Sequence, residues 1–239
     1  MTRSTDCSFR LLSLVVWLSA LVAMADASTS VDVNSLGGVD IKLPDVRLVN
    51  GVTLQRNGQG VRRISFFGMD INIYVAGLYS QSPLLSEEDV MGRCNSISSS
   101  SSSSSQSQVS PSSPNEGNHE NGITANGCPI LQLEFTFLRS VGQGKVQMAW
   151  QRQLDHSVSY KYDGYEKDCE VFITLMSSRP IEYGGTQTVQ LIGDETHVVD
   201  QGQLMGKIVG YEFQKSFLSM WFGATPVADD LKAGLLSGF

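Results

Sequence analysis

The sequence predicts an α+β fold, a large antiparallel sheet covered by helices. Three observations lead to it. Strand-like segments with hairpin turns open the chain, segments of helical period follow, and a second run of hairpins precedes the C-terminal helices. Turn signals at Asn50-Gly51, Gly193-Asp194 and Gln201-Gly202 join neighbouring strands. The order of elements shows no fixed period, which excludes a repeat architecture.

Each element has its own warrant. Val39, Ile41 and Leu43 alternate with Asp40 and Lys42 like a short strand. Residues 47–55 form a hairpin around Asn50-Gly51, and the glycine-rich stretch 57–60 is read as a further turn. Residues 61–67 and 71–79, rich in β-branched and aromatic side chains, make two more strands about Gly68. Ser86 caps a short helix whose first turn holds Glu87, Glu88 and Asp89. Leu131, Leu133, Phe135 and Phe137 alternate with polar residues, as in a half-buried strand. From Lys145 the period changes: Val146, Trp150, Leu154 and Val158 line one side of an amphipathic helix. Tyr165, Cys169, Phe172 and Met176 line another, ended by Pro180. Residues 186–192, 196–199 and 204–209 form a meander. Phe213, Phe217 and Trp221 mark a helix closed by Gly223, and residues 227–236 a last one.

Two segments stand outside this fold. Residues 1–27 read as a secretory signal: Arg3 and Arg10, an apolar run from Leu11 to Met24, then Ala25-Asp26-Ala27 as a small-x-small cleavage site. The apolar run is shorter than the roughly 20 residues that span a bilayer, so no stable membrane span is expected after cleavage. Residues 95–127, with Ser98 to Ser105 unbroken, hold almost nothing to bury and read as a disordered insert. About 180 residues then remain, enough for one domain, placed at 39–239 around that insert. The expected location is the secretory pathway, secreted or lumenal, with a two-part organelle address as the variant.

The formal charge of −7, from 17 Lys+Arg against 24 Asp+Glu, argues against a nucleic-acid partner. Cys94 and Cys128 flank the insert, and a bridge between them would clamp its base in an oxidising compartment; buried thiols are the other reading. Cys169 is expected to be a small core residue. His119, His156 and His197 have no metal-ligand spacing, and no sequence motif for a metal or cofactor is present. Gly58-Gln59-Gly60 is followed by strands, which removes a dinucleotide reading. One pair carries chemistry. With Gly68 at the centre of its hairpin, Arg62 faces Tyr74 and Ile64 faces Asn72. An Arg fork beside a Tyr hydroxyl can hold a carboxylate at the end of an apolar pocket; a solvent-facing stack is the plainer alternative.

Three stretches resemble the chalcone isomerase-like family. They are Gly58-Gln59-Gly60-Val61-Arg62 with residues 71–79, residues 133–150, and Trp221-Phe222-Gly223-Ala224-Thr225-Pro226-Val227 with Asp230-Leu231-Lys232. The resemblance implies an open-faced β-sandwich. True chalcone isomerases use an Arg in the first motif, a Thr, a helical Tyr and Asn, and a polar residue before the C-terminal Gly. Here those positions carry Arg62, Tyr74, Val146, Gln153 and Met220, with Ser219 beside the last. Val146 cannot donate a hydrogen bond to a developing oxyanion. The pattern is similar to the fatty-acid-binding and bacterial-type branch, where an Arg and a Tyr hold a carboxylate. The resemblance therefore implies a non-catalytic binder of an apolar carboxylate through Arg62 and Tyr74. An isomerase (intramolecular lyase) acting on a flavonoid-like substrate is the alternative, and an interaction protein working through its insert a third.

Overall fold

The computed structural model describes residues 41, 43–67, 69–93, 128–157 and 160–238. The expected signal, Cys94 and the serine-rich insert lie outside them. Seven strands form one antiparallel sheet in sequence order: β1 (Val46–Val49), β2 (Val52–Phe66), β3 (Met69–Ser80), β4 (Leu131–Phe137), β5 (Thr186–Ile192), β6 (Glu195–Asp200) and β7 (Gln203–Val209). The helices are α1 (Glu87–Met91), α2 (Gln143–Ser157), α3 (Tyr165–Met176), α4 (Tyr211–Phe222) and α5 (Asp229–Leu235). The α+β expectation holds.

The helices cover one face of the sheet. Ala76, Leu78, Leu133, Phe135, Val189 and Val198 from that face share a core with Trp150, Leu154, Phe172, Phe217 and Trp221 from the helices. Phe135 is central, with ring centroids 5.3 Å from Tyr74, 5.8 Å from Trp150 and 5.5 Å from Trp221. On the opposite face, Arg47 holds the buried Glu134 carboxylate with two hydrogen bonds of 2.7 and 2.5 Å, fastening β1 across to β4. Cys169 is buried and free, as a core thiol should be. Ser86 caps α1 in a full capping box with Asp89, whose carboxyl is held below its ordinary range by the Leu85 and Ser86 amides and the Ser86 hydroxyl.

Two expectations of local structure are overturned. Ile41 and Leu43 belong to no strand; Leu43 is buried against Val61 and Val75 instead. Nor does the chain turn at 57–60. Strand β2 runs straight through, with one irregularity at Asn57 between the Arg56–Tyr79 and Gly58–Leu78 pairs. The reason is tertiary. The Asn57 side chain accepts from Leu84 N–H at 2.6 Å and donates to the Leu84 and Leu235 carbonyls at 2.8 and 2.9 Å. The two glycines let α5 lie flush on the strand: a Cβ on Gly58 would sit 2.3 Å from the Gly234 carbonyl oxygen, and one on Gly60 2.8 Å from Leu231 Cδ1. Composition suggested a turn, but close packing is what these glycines serve.

The flanks of the insert meet. Arg93 donates to the Pro129 carbonyl at 2.6 Å and also to Gln214 Oε1, while Gln214 Nε2 donates to the Gly193 and Glu195 carbonyls at 3.1 and 3.0 Å. Burial pushes the Arg93 guanidinium down to about 10. Arg93→Ala is expected to destabilise by about 2 kcal/mol, read by urea unfolding, because it strands several acceptors at once. We propose that Cys94 and Cys128, next to Arg93 and Pro129, form the bridge expected above, with a contribution of about 3–4 kcal/mol in the chain-entropy picture. Alkylation of the denatured chain should then label Cys169 without reductant and Cys94 and Cys128 only after reduction. Labelling of all three beforehand would refute the bridge.

Candidate functional site

A cleft of about 930 Å³ opens between the sheet and α2. Strand β2 contributes Arg62 and Ile64, and β3 contributes Ile73 and Tyr74. Arg139, Ser140 and Val141 come from the β4–α2 connection, and Pro226 and Val227 from the link between α4 and α5. Helix α2 adds Lys145, Ala149, Arg152, Gln153 and His156, whose spacing places them on one helical face. Backbone bonds fix the walls. Val141 and Ile181 exchange hydrogen bonds of 2.7 and 2.9 Å, Leu138 N–H donates to the Ile73 carbonyl at 2.9 Å, and Val227 N–H to the Met220 carbonyl at 2.9 Å.

Arg62 and Tyr74 are directly opposed across β2 and β3, as expected. The neighbouring expectation fails: Ile64 pairs with Ile71, and Asn72 with Arg63. The hairpin closes with Phe66 opposite Met69, so its centre lies half a residue before Gly68. A bulge between the Arg62–Tyr74 and Arg63–Asn72 pairs, with Ile73 as the extra residue, restores the register further in. Both Ile73 and Tyr74 consequently reach the cleft.

Tyr74 and Gln153 line the cleft, and behind Tyr74 lies the indole of the buried Trp221. Tyr74 is buried, and neither its hydroxyl, the Gln153 Nε2 nor the Trp221 Nε1 has a hydrogen-bond partner among the described residues. Burial raises the Tyr74 phenol above its ordinary value, against the opposing pull of Trp221, Arg62 and Gln153. Tyr74 therefore stays a neutral donor. Arg62 spends one N–H on the Arg63 carbonyl at 2.6 Å, which leaves most of its fork for other acceptors. Buried donors of this kind cost free energy until an acceptor meets them. The arrangement suits an anion with at least two oxygens.

Among the described residues, no acidic side chain lines the cleft. Arg139, Lys145 and Arg152 add positive charge around Arg62, and none of them forms a salt bridge within the described residues. The Ser140 hydroxyl donates to the exposed Glu182 at 3.0 Å, just outside this ring. Sequence reasoning missed the helical cations. Their signal was the 145, 149, 152, 156 spacing, which runs beside the buried stripe of Val146, Trp150 and Leu154. Of the family-derived positions, Gln153 lines the cleft, whereas Val146, Met220 and Ser219 are buried in the core; the Ser219 hydroxyl donates to the Ser216 carbonyl.

Residues 113–237 match the sequence profile of the chalcone isomerase-like family. The chain belongs to that family. Its fold also matches the crystal structure of an Arabidopsis thaliana fatty-acid binding protein, with a TM-score of 0.51 and 14% identity over 80% of this chain and 95% of that one. No curated protein matches the chain by sequence. For a chalcone isomerase-like chain, the glycine-rich motif now has a structural meaning: it seats α5 and delivers Arg62 to the cleft.

Proposed function

We propose that the protein binds a fatty acid or similar apolar carboxylate without transforming it. Arg62 pairs with the carboxylate, and Tyr74 donates a hydrogen bond to it. Ile73, Val141, Ala149 and Val227 flank the chain of the ligand. The single observation that carries this reading is the opposed Arg62–Tyr74 pair in a cleft whose buried Tyr74 and Gln153 donors have no acceptor among the described residues. The fatty-acid binding protein of like fold supports it. So does Val146, which is buried in the core and offers no donor where a chalcone isomerase carries a Tyr. The site of action we propose is the secretory pathway, on the strength of residues 1–27; mapping the mature N-terminus tests that part.

Native mass spectrometry of protein purified without detergent should show a bound apolar carboxylate, and Arg62→Ala should lose it. Retention of the same ligand by Arg62→Ala would overturn the anchor. Turnover of a chalcone above its spontaneous rate would overturn the non-catalytic reading.

A further inference from the structure

We propose that the mouth of the cleft is a docking surface for an anionic lipid bilayer, with the β2–β3 hairpin tip as its apolar wedge. Pairing of β3 with β4 ends at Tyr74–Phe137, and pairing of β1 with β2 covers only residues 46–49 and 52–55. Beyond the cleft, β2 and β3 therefore project as a two-stranded ribbon about 13 Å long. Its end is apolar and exposed: Phe67 at 88%, Met69 at 62% and Ile64 at 42%. Ile64 also lines the cleft, so the wedge and the binding site are continuous.

Phe67 stands out in its backbone as well. Its φ is +50°, a left-handed conformation that favours Gly or Asn and penalises a bulky side chain. That backbone conformation is costly for a large aromatic residue, and an apolar phase would offset the exposure of its side chain. Charge tells which apolar phase. The chain as a whole is acidic at −7, yet Arg139, Lys145 and Arg152 line the cleft, with no acid lining it among the described residues. Asp70, the acid of the hairpin tip, is paired with Ser65 on the opposite face and accepts its hydroxyl at 2.6 Å. An exposed aromatic tip beside cations that form no salt bridge among the described residues fits an interface of acyl chains below and anionic headgroups above. In that pose a lipid-derived carboxylate enters the cleft from the membrane without crossing water. This last step rests on the ligand proposed above; docking itself does not.

Co-sedimentation with vesicles tests the surface. The protein should bind vesicles of phosphatidylcholine mixed with phosphatidylserine, bind pure phosphatidylcholine weakly, and release as salt rises. Phe67→Asn with Met69→Thr keeps residues suited to a left-handed turn and a strand, and should weaken vesicle binding at least about ten-fold. Arg139→Glu with Lys145→Glu should weaken it similarly. Every variant carries the same N-terminus, so adsorption through residues 1–27 would survive both pairs of substitutions and overturn the proposal. Absence of binding to the anionic vesicles by the unaltered protein would also overturn it. Binding of a fluorescent fatty acid in solution separates the two readings: Phe67→Asn with Met69→Thr should retain it, and Arg62→Ala should lose it.

Discussion

Gly58→Ala is expected to lower stability by about 3 kcal/mol and the melting temperature by roughly 10 °C, measured by thermal and urea unfolding. The added methyl would lie 2.3 Å from the Gly234 oxygen, 2.5 Å from the Leu235 oxygen and 2.7 Å from the Leu235 carbon. All three are backbone atoms, so no side chain can swing away. Helix α5 must lift from β2. Lifting it exposes Leu231 and Leu235, both fully buried, and draws the Leu235 carbonyl away from the Asn57 amide. The loss should spread to the cleft, because Pro226 and Val227 lead into α5 and Arg62 lies four residues further along β2. Gly144→Ala is the control. A Cβ there meets nothing within 4 Å and the position lies within α2, so stability should change by less than about 1 kcal/mol. A Gly58→Ala protein as stable as the parent would mean that α5 docks differently from the packing described.

Arg62→Ala should weaken fatty-acid affinity by about 100-fold, or about 3 kcal/mol, in a fluorescent displacement assay. The protein should remain folded, since the Arg62 side chain makes a single hydrogen bond within the described residues, to the adjacent Arg63 carbonyl. What is lost is a charged fork facing a carboxylate where water is partly excluded, the setting in which such bonds are strongest. Arg62→Lys keeps the charge without the fork and should recover only part of the affinity. Tyr74→Phe removes one neutral donor and should cost about 1 kcal/mol. The pH profile has a definite sign. The Tyr74 phenol is raised above its ordinary value, so it stays protonated as a donor from neutral pH into the alkaline range, and affinity should be level there. Affinity should fall only on the acid side, as the ligand carboxylate takes up its proton.

Strands β3 to β7, helices α2 to α4 and the Arg62–Tyr74 pair were legible in the residues alone. Their information is local: alternation sets which side chains share a face, a repeat of 3.6 sets a helix, and a short hairpin sets who stands opposite whom. The pair survived an error in the hairpin centre only because the bulge at Ile73 corrected the register by one residue before Tyr74. Nothing local announced that bulge. The unbroken path of β2 through 57–60 was equally hidden, since the same glycines that signal a turn in isolation permit a helix to press on a strand. The Trp221 and Gln153 donors and the cations of α2 come from segments about 70 to 160 residues away from Arg62 and Tyr74 in the chain, joined to them only when the helices close on the sheet. Sequence by itself determined the α+β class, the family and the opposed Arg62–Tyr74 pair, because each depends on short-range pattern. Tertiary structure decided the cleft's charge, the buried Tyr74 and Gln153 donors within it and the exposed tip beside it, because those depend on which faces packing leaves open.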